Sequence, residues 1–321
     1  RDLEQAVHWY REGAKAGDGR AMANLGVCYE TGQGVARDLE QAVHWYREGA
    51  KAGDESARSA HQRLVVVADF LNGANGDDSA ARHLAAEQVK KLIPGQWVDS
   101  PPLSGDWCEI AGDDAVAILA QLLMAAEKGY PGVDLRKSRC RCLRELPLPF
   151  YPGYRLIDAQ FHWLDQQAPR LCSGMIGPKG VLLLNGKSDI LHTINPHLLS
   201  FNATHAEESY LGFFCAFVRG DEGPFQVISE VGEIPVGDSL EKSLLNRLRE
   251  SIAPMQYLDG SFEKDGWQRY EATILYSNAV FKTTLKLMPS GMVDMESDEP
   301  IAVELPILRR QYDGPLRTPP Q

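Results

Sequence analysis

Two adjacent carboxylates, Asp221 and Glu222, stand in the run Gly220-Asp221-Glu222-Gly223-Pro224. Paired carboxylates on a loop beside a sheet can hold a metal ion or divide the acid and base roles of a proton-transfer step. The same composition suits any helix-to-strand connection, because Gly, Asp and Pro supply turn geometry. With His205 upstream, Asp221 and Glu222 mark where a site in this half of the chain is expected. His192, His197 and His205 fall within fourteen positions, but metal ligands need i, i+4 spacing on one helix or neighbouring strands. His197 follows Pro196 and His205 sits at a helix start, so the three read as surface or turn residues and no metal is assigned.

Cys140 and Cys142, inside Ser-Arg-Cys-Arg-Cys-Leu-Arg, would have lowered pKa values if exposed, because Arg139, Arg141 and Arg144 flank them. No second Cys or His pair stands near at zinc spacing, and the bland reading is an ordinary helical or loop segment. Gly177-Pro178-Lys179-Gly180 lacks the spacing of a phosphate loop and runs into Val-Leu-Leu-Leu, so it reads as a strand-entry turn. No Gly-x-Ser-x-Gly, His-Glu-x-x-His or dinucleotide glycine pattern occurs. No catalytic residue and no cofactor is assigned.

The elements that would position these residues are legible in part. Asp113–Lys128 is a helix lined by Val116, Leu119, Leu122, Leu123 and Ala126 and ended by Gly129. Asn185-Gly186 between Val181–Leu184 and Lys187–Thr193 predicts a hairpin with a type I′ turn. Thr204 with Glu207 caps a helix whose face is Ala206, Tyr210, Phe213, Phe214 and Phe217, and Phe225–Ser229 is a strand. Asp238 and Glu241 cap a further helix, with Leu244, Leu245, Leu248 and Ile252 inward. Trp267–Tyr276 and Val280–Met288 pair across Ser277-Asn278, and Met292–Met295 follows. In Val280–Met288, Phe281, Thr283, Leu285 and Leu287 point one way and Lys282, Thr284 and Lys286 the other, as in an antiparallel sheet with one solvated face. These segments make an α+β domain, an antiparallel sheet with two packed helices, over residues 146–308.

The front of the chain is periodic. Arg1–Asp18 and Arg37–Asp54 are the same eighteen residues, letter for letter, at an offset of 36. Such a period signals stacked helix pairs. One unit, Gly19–Asp54, carries Ala21, Leu25, Cys28 and Tyr29 on one helical face, a break at Gly32-Gln33-Gly34-Val35, and a second helix capped by Asp38. That helix has the stripe Leu39, Ala42, Val43, Tyr46 and Ala50 and ends near Gly53. Ala21, Leu25-Gly26, Tyr29, Gly32-x-Gly34-Val35, Asp38, Ala42, Trp45-Tyr46, Ala50 and Gly53 resemble the Sel-one-like repeat, a relative of the tetratricopeptide repeat, over about the first 64 residues. The resemblance implies an α/α solenoid used as an adaptor for protein complexes, mostly in bacteria and in some eukaryotic pathways, with no shared catalytic residue. Glu55–Leu71 reads as an atypical closing helix, and Ser79–Ile93 as one more, capped by Ser79 and stopped by Pro94. Because the chain opens mid-repeat, further repeats are expected upstream.

The expected layout is a repeat solenoid over 1–93, a linker over 94–112, a helical connector over 113–145, the α+β domain over 146–308 and a loose tail over 309–321. The formal net charge is −11. Residues 1–93 carry 12 Lys/Arg against 14 Asp/Glu and the rest 21 against 30, which argues against nucleic-acid binding, where basic surface supplies most of the affinity. No apolar run is long enough to span a membrane. Six scattered cysteines favour a reducing, cytoplasmic compartment. The leading reading is an interaction adaptor that binds a protein or peptide through its repeats, with Arg20, Asn24 and Val27 as contact residues on the first helix. Trp9, Trp45, His8 and His44 read as inter-repeat packing. The second reading is an enzyme in the α+β domain, with a concave pocket near Asp221, Glu222 and His205 and repeats that recruit its target. The third is a regulatory or effector-neutralising protein in which the acidic domain caps a partner.

Overall fold

An aspartate precedes each helix of the repeat region, and in every case its carboxylate accepts from the free N–H groups of the first turn. The computed structural model describes residues 2–73, 78–130, 132–165, 168–236, 240–258, 260 and 265–320. Asp2, Asp18, Asp38 and Asp54 cap α1 (Leu3–Lys15), α2 (Gly19–Thr31), α3 (Leu39–Lys51) and α4 (Glu55–Leu71). Gly32 ends α2 in the left-handed conformation, at φ 74°. Successive helices pack on one another, with Val7, Ala14, Leu25 and Cys28 in one cluster and Ala23, Ala42, Tyr46, Ala57 and Leu64 in the next. The Tyr46 ring lies 2.7 Å from where a Cβ on Gly26 would be, so α2 and α3 meet at a distance only glycine permits.

The chain divides into two compact units, Arg1–Asn75 and Gly76–Gln321. The second contains α5 (Ser79–Val89), β1 (Cys108–Glu109), α6 (Gly112–Gly129), β2 (Ser138–Pro147), β3 (Arg155–Trp163), β4 (Arg170–Gly177) and β5 (Gly180–Leu183). There follow α7 (Ser188–Leu198), α8 (Ala206–Phe217), β6 (Arg219–Gly220), β7 (Gly223–Pro224), β8 (Gln226–Ile228), α9 (Lys242–Ser251) and β9 (Gln256–Tyr257). The last strands are β10 (Gln268–Tyr276), β11 (Ala279–Leu287), β12 (Val293–Ala302), β13 (Tyr312–Asp313) and β14 (Leu316–Arg317).

Among the described residues one antiparallel sheet runs β1-β2-β3-β4-β14-β13, with β5 also on β4; a second runs β12-β11-β10-β8, with β9 on β10. Strand alternation sorts the first sheet into two faces. Leu143, Ile157, Ala159, Phe161, Cys172 and Leu316 share a core with Ala81 and Ala85 of α5 and Leu119, Leu122 and Leu123 of α6. The opposite face presents Arg144, Asp158 and Ser173, directly paired across β2, β3 and β4, and Arg317 of β14. The segment around Gln96–Trp107 lies on this face: Val98 N donates to Gln160 Oε1 (2.9 Å), and Arg144 lies 3.8 Å from the centre of the Trp97 ring. The second sheet packs Ile228, Leu275 and Val280 against Leu248 and Ile252 at α9. Phe150, Tyr151, Tyr210 and Phe213 form an aromatic cluster, inside which Asn195 accepts from Tyr151 (2.5 Å) and donates to Tyr210 (2.7 Å).

Several sequence expectations are corrected here. The helix begun at Ser79 is capped by Asp78, ends at Val89, and packs on α6 in the second unit rather than extending the solenoid to 93. The expected linker 94–112 contains the buried Asp99 and covers a sheet face. The expected connector 113–145 contains most of β2, in which Arg141 forms a bulge between Cys140 and Cys142. Asn185-Gly186 is not a hairpin turn. The hairpin is β4–β5, closed at Pro178-Lys179, and Asn185-Gly186 leads into α7, whose Ile190, Leu191 and Ile194 are buried. His205, not Thr204, is the N-cap of α8, and its side chain caps nothing. Two main sheets replace the single one expected, and β13–β14 replaces the loose tail, with Leu316 and Arg317 buried. Asp238 lies outside the described residues.

Candidate functional site

On α2, burial takes Ala21, Ala23, Leu25, Gly26 and Cys28, which leaves Arg20 exposed, Asn24 half-buried and Val27 42% exposed. One turn further, the Thr31 hydroxyl donates to the Val27 carbonyl (2.7 Å), so this strip spends no side-chain group on a neighbouring helix there. Behind it, Arg63 of α4 grips Glu30 of α2 through both Nη atoms (2.6 and 2.9 Å), and the Tyr46 hydroxyl donates to the same carboxylate (2.8 Å). That triad ties three helices together and holds α2 in place. Its members are far apart in sequence, and no local pattern marks them.

In the second unit a cleft opens between β4, β14, the end of α8 and the β6–β7 hairpin. Its polar walls are Asp99, Ser173, Arg219, Gln226, Arg310 and Arg317, and its empty space is about 600 Å³ with the open mouth included. Arg310 donates to both oxygens of Asp99 (2.9 and 2.8 Å), and Arg317 Nε reaches Asp99 Oδ2 at 3.4 Å. Arg317 also donates to both oxygens of Asp158 (2.8 and 2.9 Å), which accepts from Arg144 (2.6 and 3.1 Å) and Ser173 (2.9 Å) as well. Burial pushes the Asp158 carboxyl up, but Arg317 and then Arg144 outweigh it and hold it below the ordinary carboxylate range. Two further clefts adjoin. Asp221 and Glu222 line one with Arg309 and Arg310, and His205 and Glu208 line the other with Ser209 and Phe150.

Residues 1–18 and 19–54 match the family model of the Sel1 repeat. These segments are Sel1 repeats. Such repeats are in general protein-interaction modules. No curated protein and no solved structure matches the chain.

Outside the Sel1 repeats, the carboxylate and histidine candidates do not converge. Asp221 and Glu222 form the two-residue tip of the β6–β7 hairpin. Glu222 accepts from Arg309 (3.1 Å), while exposed His205 stands 3.5 Å from Glu208 in the other cleft. Among the described residues, no three His, Cys, Asp or Glu side chains are grouped to hold a metal ion, and no helix is long and apolar enough to cross a membrane. Cys140 and Cys142 are both buried, and burial pushes both thiols up, outweighing Arg141 and Arg144 beside Cys142. The arginines of the cleft escaped the sequence reading because Arg219, Arg310 and Arg317 look like solvated charges until the topology places them together. Within the repeats, Trp45 is half-buried against the cluster of α1 and α2, while Trp9, in the identical segment, is 64% exposed.

Proposed function

We propose that this protein is an interaction adaptor that holds a protein or peptide partner on its Sel1 repeats, through the solvent-facing strip Arg20, Asn24 and Val27 of α2. The observation that carries the reading is the repeat match over residues 1–54. The accessible strip supports the choice of surface: it combines a cation, an amide and an apolar side chain, a mixture suited to a peptide with both charged and apolar residues.

The test is affinity capture with mass spectrometry on three chains: the parent, Arg20→Glu with Asn24→Ala, and a chain of residues 78–321. The adaptor reading expects a partner that the parent retains, that residues 78–321 lose, and that the double variant holds at least about tenfold more weakly with unchanged helical circular dichroism. Unchanged capture by the double variant removes the α2 strip from the account. A partner kept by residues 78–321 moves the function to the second unit.

A further inference from the structure

Four guanidinium groups meet at the charged face of the first sheet, Arg144, Arg219, Arg310 and Arg317, and two buried carboxylates answer them. Asp158 is shared by Arg144 and Arg317, and Asp99 by Arg310 and Arg317. Arg219 pairs with no carboxylate among the described residues. Its guanidinium lies 4.6 Å from the centre of the Tyr312 ring, and Nη2 donates to the Gly314 carbonyl at 2.6 Å. The nearest acidic residues in sequence do not serve it: Glu222 is taken by Arg309 and Asp221 is exposed at the hairpin tip. Gly186, at φ 88°, leaves the space that Arg219 fills, since a Cβ there would collide with its guanidinium. Arg219 Nε and Nη1 and Arg310 Nη1 have no acceptor among the described residues, and both side chains line the same cleft. Burial lowers the pKa of Arg219, as follows for a cation short of a counter-charge.

We propose that this cleft binds a small-molecule oxyanion, a phosphate or carboxylate group, between Arg219 and Arg310. A half-buried guanidinium without a counter-charge is costly, and an oxyanion that accepts from the N–H groups these forks leave open, Arg219 Nε or Nη1 and Arg310 Nη1, offsets that cost. Both forks are held before the ligand arrives, Arg219 by the Tyr312 ring and the Gly314 carbonyl, Arg310 by Asp99, so little side-chain freedom is lost on binding. Phe217, Pro101, Pro102 and Leu184 line the cleft alongside them and suit the apolar body of a ligand that carries the anion. The site differs from the repeat surface in place and in ligand, and stands or falls separately from the adaptor reading.

The experiment titrates the full chain with inorganic phosphate and, separately, with malonate, at ionic strength held constant with chloride so that screening is matched. The readouts are the melting temperature and the Arg Nε–H resonances in ¹⁵N-correlated spectra. The expected result is a saturable shift of one Arg Nε–H resonance with at least one of the two anions, absent from the spectrum of Arg219→Gln. In that variant the dissociation constant rises by about tenfold or more, the size of one charge-assisted hydrogen bond. Gln226→Glu, which adds a carboxylate to the wall of the same cleft, should block binding too, with the far-UV spectrum unchanged, and decides the matter if Arg219→Gln does not fold. A response to phosphate alone assigns a phosphate ester, and a response to malonate alone a carboxylate. No saturable response to either anion, or parental binding in a folded variant, overturns the proposal.

Discussion

Asp158 has no solvent exposure and accepts from two arginines and a serine. Its carboxyl is held below the ordinary range, so the stability it contributes is fully present above the unfolded-state pKa of about 4 and is lost as pH falls through the lower folded value. Urea unfolding of residues 78–321 should therefore show Asp158→Asn less stable than the parent by about 3 kcal/mol near neutral pH. The gap should begin to narrow as pH drops below about 4, where the unfolded parent takes up a proton that the folded carboxylate still refuses, and should close once pH passes the lower folded value. A gap constant down to the acid end would mean that Asp158 is not ionised in the folded protein. Nothing in its neighbours, Ile157 and Ala159, announces a buried carboxylate. In sequence it reads as the polar position of a half-exposed strand, and it is buried because its partners arrive from elsewhere in the chain.

Identical sequence gives identical elements and unequal surroundings. The two copies of the eighteen-residue segment form α1 and α3, each thirteen residues long, each capped by aspartate and each ending at a lysine. Local chemistry set those bounds, which is why the repeats could be read directly. Position in the stack decides the rest, since Trp45 packs against the cluster of the preceding helices and Trp9 does not. Trp45→Ala should lower the stability of the repeat unit by about 2 kcal/mol, and Trp9→Ala should leave it within about 0.5 kcal/mol, measured by thermal melting followed at 222 nm. Equal effects would show that the two indoles are equally buried in solution. The second unit was less legible for related reasons. β10 and β11 showed themselves through alternation around Ser277-Asn278, because one face of each is solvated. β2 did not, since its sheet is covered on both faces and its arginines mimic an exposed pattern. Asn185-Gly186 carried a strong turn signal, but the apolar spacing at Ile190, Leu191 and Ile194 overrode it and built a helix.

At the scale of the whole molecule, each unit has its own core. The sheet, α5 and α6 close one around Leu119, Leu122 and Phe161, so residues 78–321 should fold without the repeats and unfold in a single cooperative transition. Calorimetry of that chain beside the full protein tests this, and a broad, non-cooperative melt would count against independence. The two units also differ in how far apart their partners lie. The repeats join neighbouring helices, whereas Arg317 meets Asp158 across 159 positions and Asp99 across 218. Synthesis runs in one direction, so Asp99, Arg144, Asp158 and Ser173 all leave the ribosome long before the residue that joins them is made. During that interval the nascent sheet carries its charged face without Arg310, Arg317 or the strand that supports them. The repeats can form as they emerge, and the second unit reaches its closed state only after translation has passed Arg317.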